Sequence, residues 1–276
     1  MDILFKAAQF YKDNGRDIDR ALFEFHFADF PLDELLKVLS AYQNEDGGFG
    51  HGLEVDISAP ESNPFATELA LLICIQVGVT PEHPLIRKTV DYLENTQEDD
   101  GDWSFSPAIY EHELAPWFQG WERPNLNPAC TLCGLLKELG LGSEQLHQKV
   151  ERMFQQLAVP DDLASDEYYS VRPYAYYYLP DWEHPQREFY LSGVLWWLIR
   201  VHVNGKIADS GHFFDYVRAP YTYTGVHLPE AILSERLDML ISEQADDGGW
   251  PTPYNPMWRG WFTIQNLLVL KAFGRI

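Results

Sequence analysis

Apolar residues recur along most of the chain at the three-to-four-residue spacing of amphipathic helices, and no stretch alternates in the period-two manner of a half-buried strand. Residues 2–13 and 17–28 (Ile3, Leu4, Ala7, Phe10, Tyr11; then Ile18, Leu22, Phe25) read as an opening helical hairpin parted by Asn14-Gly15. Pro31 starts a third helix, with Asp33 and Glu34 at its positive end. Two textures then alternate. Residues 63–78 open with the capping pair Asn63-Pro64 and are apolar on nearly every face, which predicts a helix buried all round. Residues 84–97 mix apolar and charged positions, as in a helix with one face in water. The same pair of textures returns at 127–140 and 143–157. Residues 187–203 read as another buried helix, 228–244 as a half-exposed one and 259–274 as buried. Residues 158–186 and 204–227, rich in Tyr, Pro and Gly, are expected to be helical without a clear period.

A repeat punctuates this alternation. Gln43-x-x-Asp46-Gly47-Gly48-Phe49 returns as Gln97-x-x-Asp100-Gly101-Asp102-Trp103 and as Gln244-x-x-Asp247-Gly248-Gly249-Trp250, each time at the end of a helix. The Asp-Gly pair supplies a turn with access to positive φ, and the aromatic ring covers it. Repeats at a fixed internal spacing set architecture, and five or six helical hairpins closed in a ring would use residues 1–276 as a single domain.

The chain carries 42 acidic against 20 basic residues, a formal charge of -22, so its surface is acidic. Such a field repels phosphate backbones and anionic lipid, which makes nucleic acid and membrane surfaces poor partners and leaves cations, metal ions and neutral ligands, a small-molecule or hydrophobic ligand among them. No run approaches the ~20 apolar residues of a membrane span, and the N-terminus lacks a basic region ahead of an apolar one, so a cytoplasmic location is expected. Cys74, Cys130 and Cys133 sit in apolar helical patterns and are odd in number. They read as buried thiols rather than a disulfide framework, or a redox or zinc pair at Cys130-x-x-Cys133.

The three Gln-x-x-Asp-Gly-(Gly/Asp)-(Phe/Trp) segments resemble the QW repeats shared by squalene and terpenoid cyclases and the β subunits of protein prenyltransferases. The resemblance implies an all-α fold, an α/α toroid whose inner helices line a central funnel and whose outer helices wrap them. It also implies that the helix starts Asn63-Pro64-x-x-Thr67-Glu68 and Asn127-Pro128-x-x-Thr131 face the funnel mouth. The signatures of each activity are a separate matter. The Asp-x-Asp-Asp of proton-initiated cyclases is absent, Glu98-Asp99-Asp100-Gly101-Asp102 coming closest but lying in a repeat. No cysteine has the Asp two positions earlier that zinc-dependent prenyltransferases use. Asp161 to Glu167 only partly resembles a magnesium-binding motif, with Ser165 and Tyr169 where acids belong. No metal ligand set and no cofactor is therefore assigned.

Three segments could carry chemistry. His51, Glu54 and Asp56 extend the first repeat with ionisable groups the other copies lack, and in an aromatic funnel Glu54 or Asp56 could serve as a proton donor, or the trio could hold a divalent cation; the competing reading is a solvated loop that caps the next helix. Trp117, Trp121 and Arg123 belong to an aromatic insert suited to isoprenoid cations or to sugar rings, or to plugging the end of the toroid. Tyr168, Tyr169 and Arg172 open a tyrosine-rich stretch that suits a wet ligand wall with a cation for an anionic head group, or helix packing. Together they lead to an enzyme acting on an isoprenoid-like or other hydrophobic ligand. One alternative is a carbohydrate-active toroid on a neutral glycan, since Gly248-Gly249-Trp250-Pro251 weakly resembles a pectate-lyase segment. The other is a non-catalytic binding toroid.

Overall fold

A computed structural model describes residues 2–178, 183–207 and 209–276. Among these, every regular element is helical and the only β-pairings are two isolated bridges, Gln43 with Phe49 and Ile57 with Leu114. In chain order the α-helices are α1 (Ile3–Asp13), α2 (Asp17–Phe27), α3 (Leu32–Ser40), α4 (Pro64–Gln76), α5 (Pro84–Thr96), α6 (Leu126–Glu138) and α7 (Glu144–Leu157). Then follow α8 (Tyr168–Tyr177), α9 (Arg187–Val203), α10 (Ser210–Phe214), α11 (Tyr223–His227), α12 (Glu230–Ser242) and α13 (Arg259–Ala272). Both segments without a clear period are helical in part, through α8, α10, α11 and a 3-10 turn at Pro160–Ala164; residues 179–182 and 208 lie outside the described residues.

The chain divides into two compact units, residues 39–187 and residues 1–38 with 188–276. In the first, α6 is central and packs on α8, α4 and α7. Gly134 permits the crossing of α6 and α8, because a Cβ there would stand 2.1 Å from the carbonyl oxygen of Tyr176. α4 starts as its sequence predicts: Asn63 Oδ1 accepts from Ala66 N at 2.8 Å, Pro64 occupies the first turn, and nearly the whole helix is buried. α5 and α7 bury one face each, Leu85, Ile86, Thr89, Tyr92 and Leu93 in the one, Leu146, Val150, Met153 and Phe154 in the other. In the second unit α13 packs on α1, α2 and α10. Tyr11 stacks on Phe23 at 4.7 Å and donates to the Gly260 carbonyl at 2.6 Å.

One helix departs from its expected burial. α9 buries Tyr190, Leu191, Val194, Trp197, Leu198 and Val201 but exposes Phe189, Trp196 and Val203, so it is one-sided although its residues are apolar all round. Composition could not separate an apolar face that is covered from one that is not.

Candidate functional site

The repeat loops are built alike, and their geometry explains why each residue type recurs. Gln43 Nε2 donates to the Gly47 carbonyl of its own turn at 3.0 Å and to the Leu85 carbonyl in the first turn of α5 at 3.0 Å. Gln97 Nε2 does the same to Gly101 and to Leu146 of α7, both at 3.2 Å. Gln244 Nε2 does so to Gly248 at 2.9 Å and to Ile3 of α1 at 3.0 Å. The turn glycines Gly47, Gly101 and Gly248 have φ of 93°, 98° and 93° and press on the backbone of that same neighbouring helix. In the first and third copies the aromatic residue's N–H is taken by a threonine on the following helix, Phe49 N by Thr67 Oγ1 at 3.1 Å and Trp250 N by Thr263 Oγ1 at 3.0 Å.

The second copy is wired differently. Trp103 N donates to Asp102 Oδ1 at 2.7 Å, and Asp102 Oδ2 accepts from Arg123 Nε at 3.2 Å and Asn125 N at 3.0 Å. Asp102 is fully buried, and burial raises its carboxyl above the usual range in spite of the hydrogen bonds from Trp103 and Asn125 and the Arg123 guanidinium. Arg123, one of the candidate ligand contacts, ties the aromatic insert down, reaching Glu98 and Asp100 as well as Asp102.

The acidic extension of the first repeat folds back on itself. His51, exposed at φ 54°, places Nε2 2.8 Å from Asn44 Oδ1, and Glu54 Oε1 accepts from Asp56 N at 3.3 Å. Asp56 holds the insert through its backbone: its carbonyl accepts from Ala115 N at 2.9 Å, while Ser58 N and Oγ donate to the Glu113 carbonyl at 3.1 and 2.9 Å. The extension and the insert thus meet, and between them lies an apolar cluster of Ile57, Ala59, Phe65, Ile109, Leu114 and Phe118 with Phe105 and Trp121 against it. Phe65 of α4 touches Phe118 at 4.7 Å and Trp121 at 5.1 Å, so much of the insert packs as a plug. Trp117 is 48 % exposed.

The third candidate brings α8 onto α4. Arg172 pairs with Glu68, lies 4.4 Å over the Tyr176 ring and donates to Tyr168 Oη at 3.4 Å, while Tyr169 points to solvent. Glu68 is 4 % exposed on an otherwise apolar helix. It, Asp102 and Asp19 are buried carboxylates that the sequence does not single out as site residues. For Glu68 the signal was there, a charge inside a run predicted to be buried all round.

Among the described residues, no group of three or more His, Cys, Asp and Glu side chains is placed to hold a metal ion. The cysteines are buried free thiols, burial pushing Cys74 and Cys133 up to about 12, and Cys133 Sγ rests 3.2 Å from His147 Nδ1. In the other unit a cavity of about 350 Å³ is lined by Phe10, Asn14, Arg16, Met257 and Arg259 among others. Its two guanidiniums are already bound to Asp19 and Asp247. No protein-family model matches the chain, and no curated protein is significantly similar to it.

Proposed function

We propose that this chain is an α/α toroid of the terpenoid-cyclase and prenyltransferase type that takes a hydrophobic, isoprenoid-like ligand. The observation that carries the reading is the direction in which the repeats dock. The loop after α3 seats its glutamine on α5, the loop after α5 on α7, and the loop after α12 on α1. A last repeat that grips the first helix as the earlier ones grip the next is what a closed ring of hairpins requires, and an open array would leave Ile3 without it.

The ligand surface in this reading is aromatic and lies in residues 39–187: Trp117 and Trp121 of the insert, Tyr168 and Tyr169 beside the Glu68–Arg172 pair. Aromatic rings beside a buried ion pair suit an extended apolar chain that carries or develops positive charge. Glu54 or Asp56 at the edge of the same insert is the proposed acid.

Native mass spectrometry of gently purified protein, followed by binding of a fluorescent farnesyl analogue, tests this. A bound polyprenyl species, lost in Trp117→Ala with no change in melting temperature, is the expected result, and Glu54→Gln is expected to keep the ligand and lose turnover. A co-purified glycan, or wild-type protein that neither carries nor binds an isoprenoid, overturns it.

A further inference from the structure

Helices that meet solvent ordinarily turn a polar face to it, and α7 does so: opposite its buried Leu146, Val150, Met153 and Phe154 stand Glu144, Gln148, Arg152 and Gln155. α9 does not. Phe189, Trp196 and Val203 are 55 %, 67 % and 72 % exposed and follow one another in steps of seven residues, which sets them in one stripe along the helix. The stripe lies in a stretch without acidic residues. From 189 to 208 there is no Asp or Glu, although the chain carries 42 of them. The repulsion that holds copies of so acidic a protein apart is weakened where these side chains meet solvent.

We infer that this stripe is a self-association face, covered by α9 of a second copy running antiparallel about Trp196. Two-fold pairing is isologous, so each contact must be complementary to itself, and this stripe meets that condition. Centred on Trp196, it sets Phe189 beside Val203 of the second copy and Ile199 over the gap at Gly193. Glu188, which also accepts from Tyr223 Oη at 2.7 Å, comes near Lys206 of the second copy just past its helix end. A parallel pairing would instead bring Glu188 to Glu188 and Lys206 to Lys206. A bare row of Phe, Trp and Val on a soluble surface marks a contact site, and the acidic body disfavours a membrane as its occupant.

Sedimentation velocity over a range of protein concentrations tests the inference on the full chain. Wild type is expected to pass from monomer to dimer. Trp196→Glu is expected to weaken the dimer by about thirtyfold or more without lowering the melting temperature, since the side chain it replaces is exposed. Lys206→Glu is expected to weaken it up to about fivefold, and pairing it with Glu188→Lys to recover that loss. A wild type that stays monomeric, a dimer indifferent to Trp196→Glu, or a stripe that binds phosphatidylcholine vesicles in place of a second copy each overturns it.

Discussion

The loop at 97–103 and the loops at 43–49 and 244–250 share a sequence pattern and a backbone, yet they hold their aromatic residues by different means. In the outer two, a threonine one turn into the following helix reaches back and takes the aromatic N–H. That works where the intervening chain is short. Between Trp103 and Thr131 lies the aromatic insert, and there Asp102 takes the N–H from within the turn while its second oxygen holds Arg123 and Asn125. Thr131 Oγ1 and Asn127 Oδ1 are left buried without a hydrogen bond among the described residues. Asn127 itself is non-helical, at φ -102° and ψ 125°, so the first turn of α6 does not form as that of α4 does. An insertion has been absorbed by moving one acceptor from the helix to the loop.

If the three copies share one turn, they must fail alike when it is filled. A Cβ at Gly47, Gly101 or Gly248 would fall 2.1, 2.5 and 2.0 Å from the carbonyl oxygens of Lys88, Lys149 and Lys6, and each glycine has positive φ. Gly→Ala at each is expected to cost about 5 kcal/mol, the largest effect here, read from urea midpoints. A tolerated Gly101→Ala beside two damaging variants would break the likeness.

Asp102→Ala sharpens the difference. It leaves the N–H groups of Trp103 and Asn125 without their acceptor and removes the buried partner of Arg123, for an expected loss of about 4 kcal/mol. The titrations of Asp102 and Asp247 run in opposite senses. Asp247, gripped by Arg259, lies below the usual carboxylate range, so it stabilises the fold above that range and the contribution is lost as pH falls through its depressed pKa. Asp102, raised by burial, favours the fold when protonated; its contribution is full below the usual range and is lost as pH rises through its raised pKa. Stability measured between about pH 3 and 7 should therefore show a shallower acid-side slope in Asp247→Asn and a shallower decline just above the carboxylate range in Asp102→Asn.

Much of this fold was legible in the residues, and the exceptions are instructive. The Asn63-Pro64 start, the one-sided burial of α5 and α7 and the turn glycines follow from local rules, because cap, period and φ are local properties. Asp102 stands where the other copies have glycine, and its purpose depends on Arg123 and Asn125, some twenty positions on. His51, Glu54 and Asp56 stand out as departures from the repeat; His51 meets Asn44, Glu54 accepts from Asp56 N, and the Asp56 carbonyl accepts from Ala115 N of the insert. α9 misled in the other direction, since Phe189, Trp196 and Val203 are as apolar as the residues that bury its other side. The buried Glu68–Arg172 pair joins helices far apart in the chain, and only its basic half, Arg172, stood out as a candidate.

The threonines give the last and finest discrimination. Thr67→Val and Thr263→Val each remove the acceptor of a buried aromatic N–H and are expected to cost about 2 kcal/mol. Thr131 holds the equivalent place in the second copy, but its N–H has gone to Asp102, and its hydroxyl is buried with no partner among the described residues. Valine has nearly the same shape without the hydroxyl to desolvate. Thr131→Val should therefore leave stability unchanged or raise it by up to about 1 kcal/mol, in the same urea titration that shows the other two falling. A loss at Thr131 equal to theirs would mean that Trp103 N–H turns to the helix after all, and that the second copy is held as the others are.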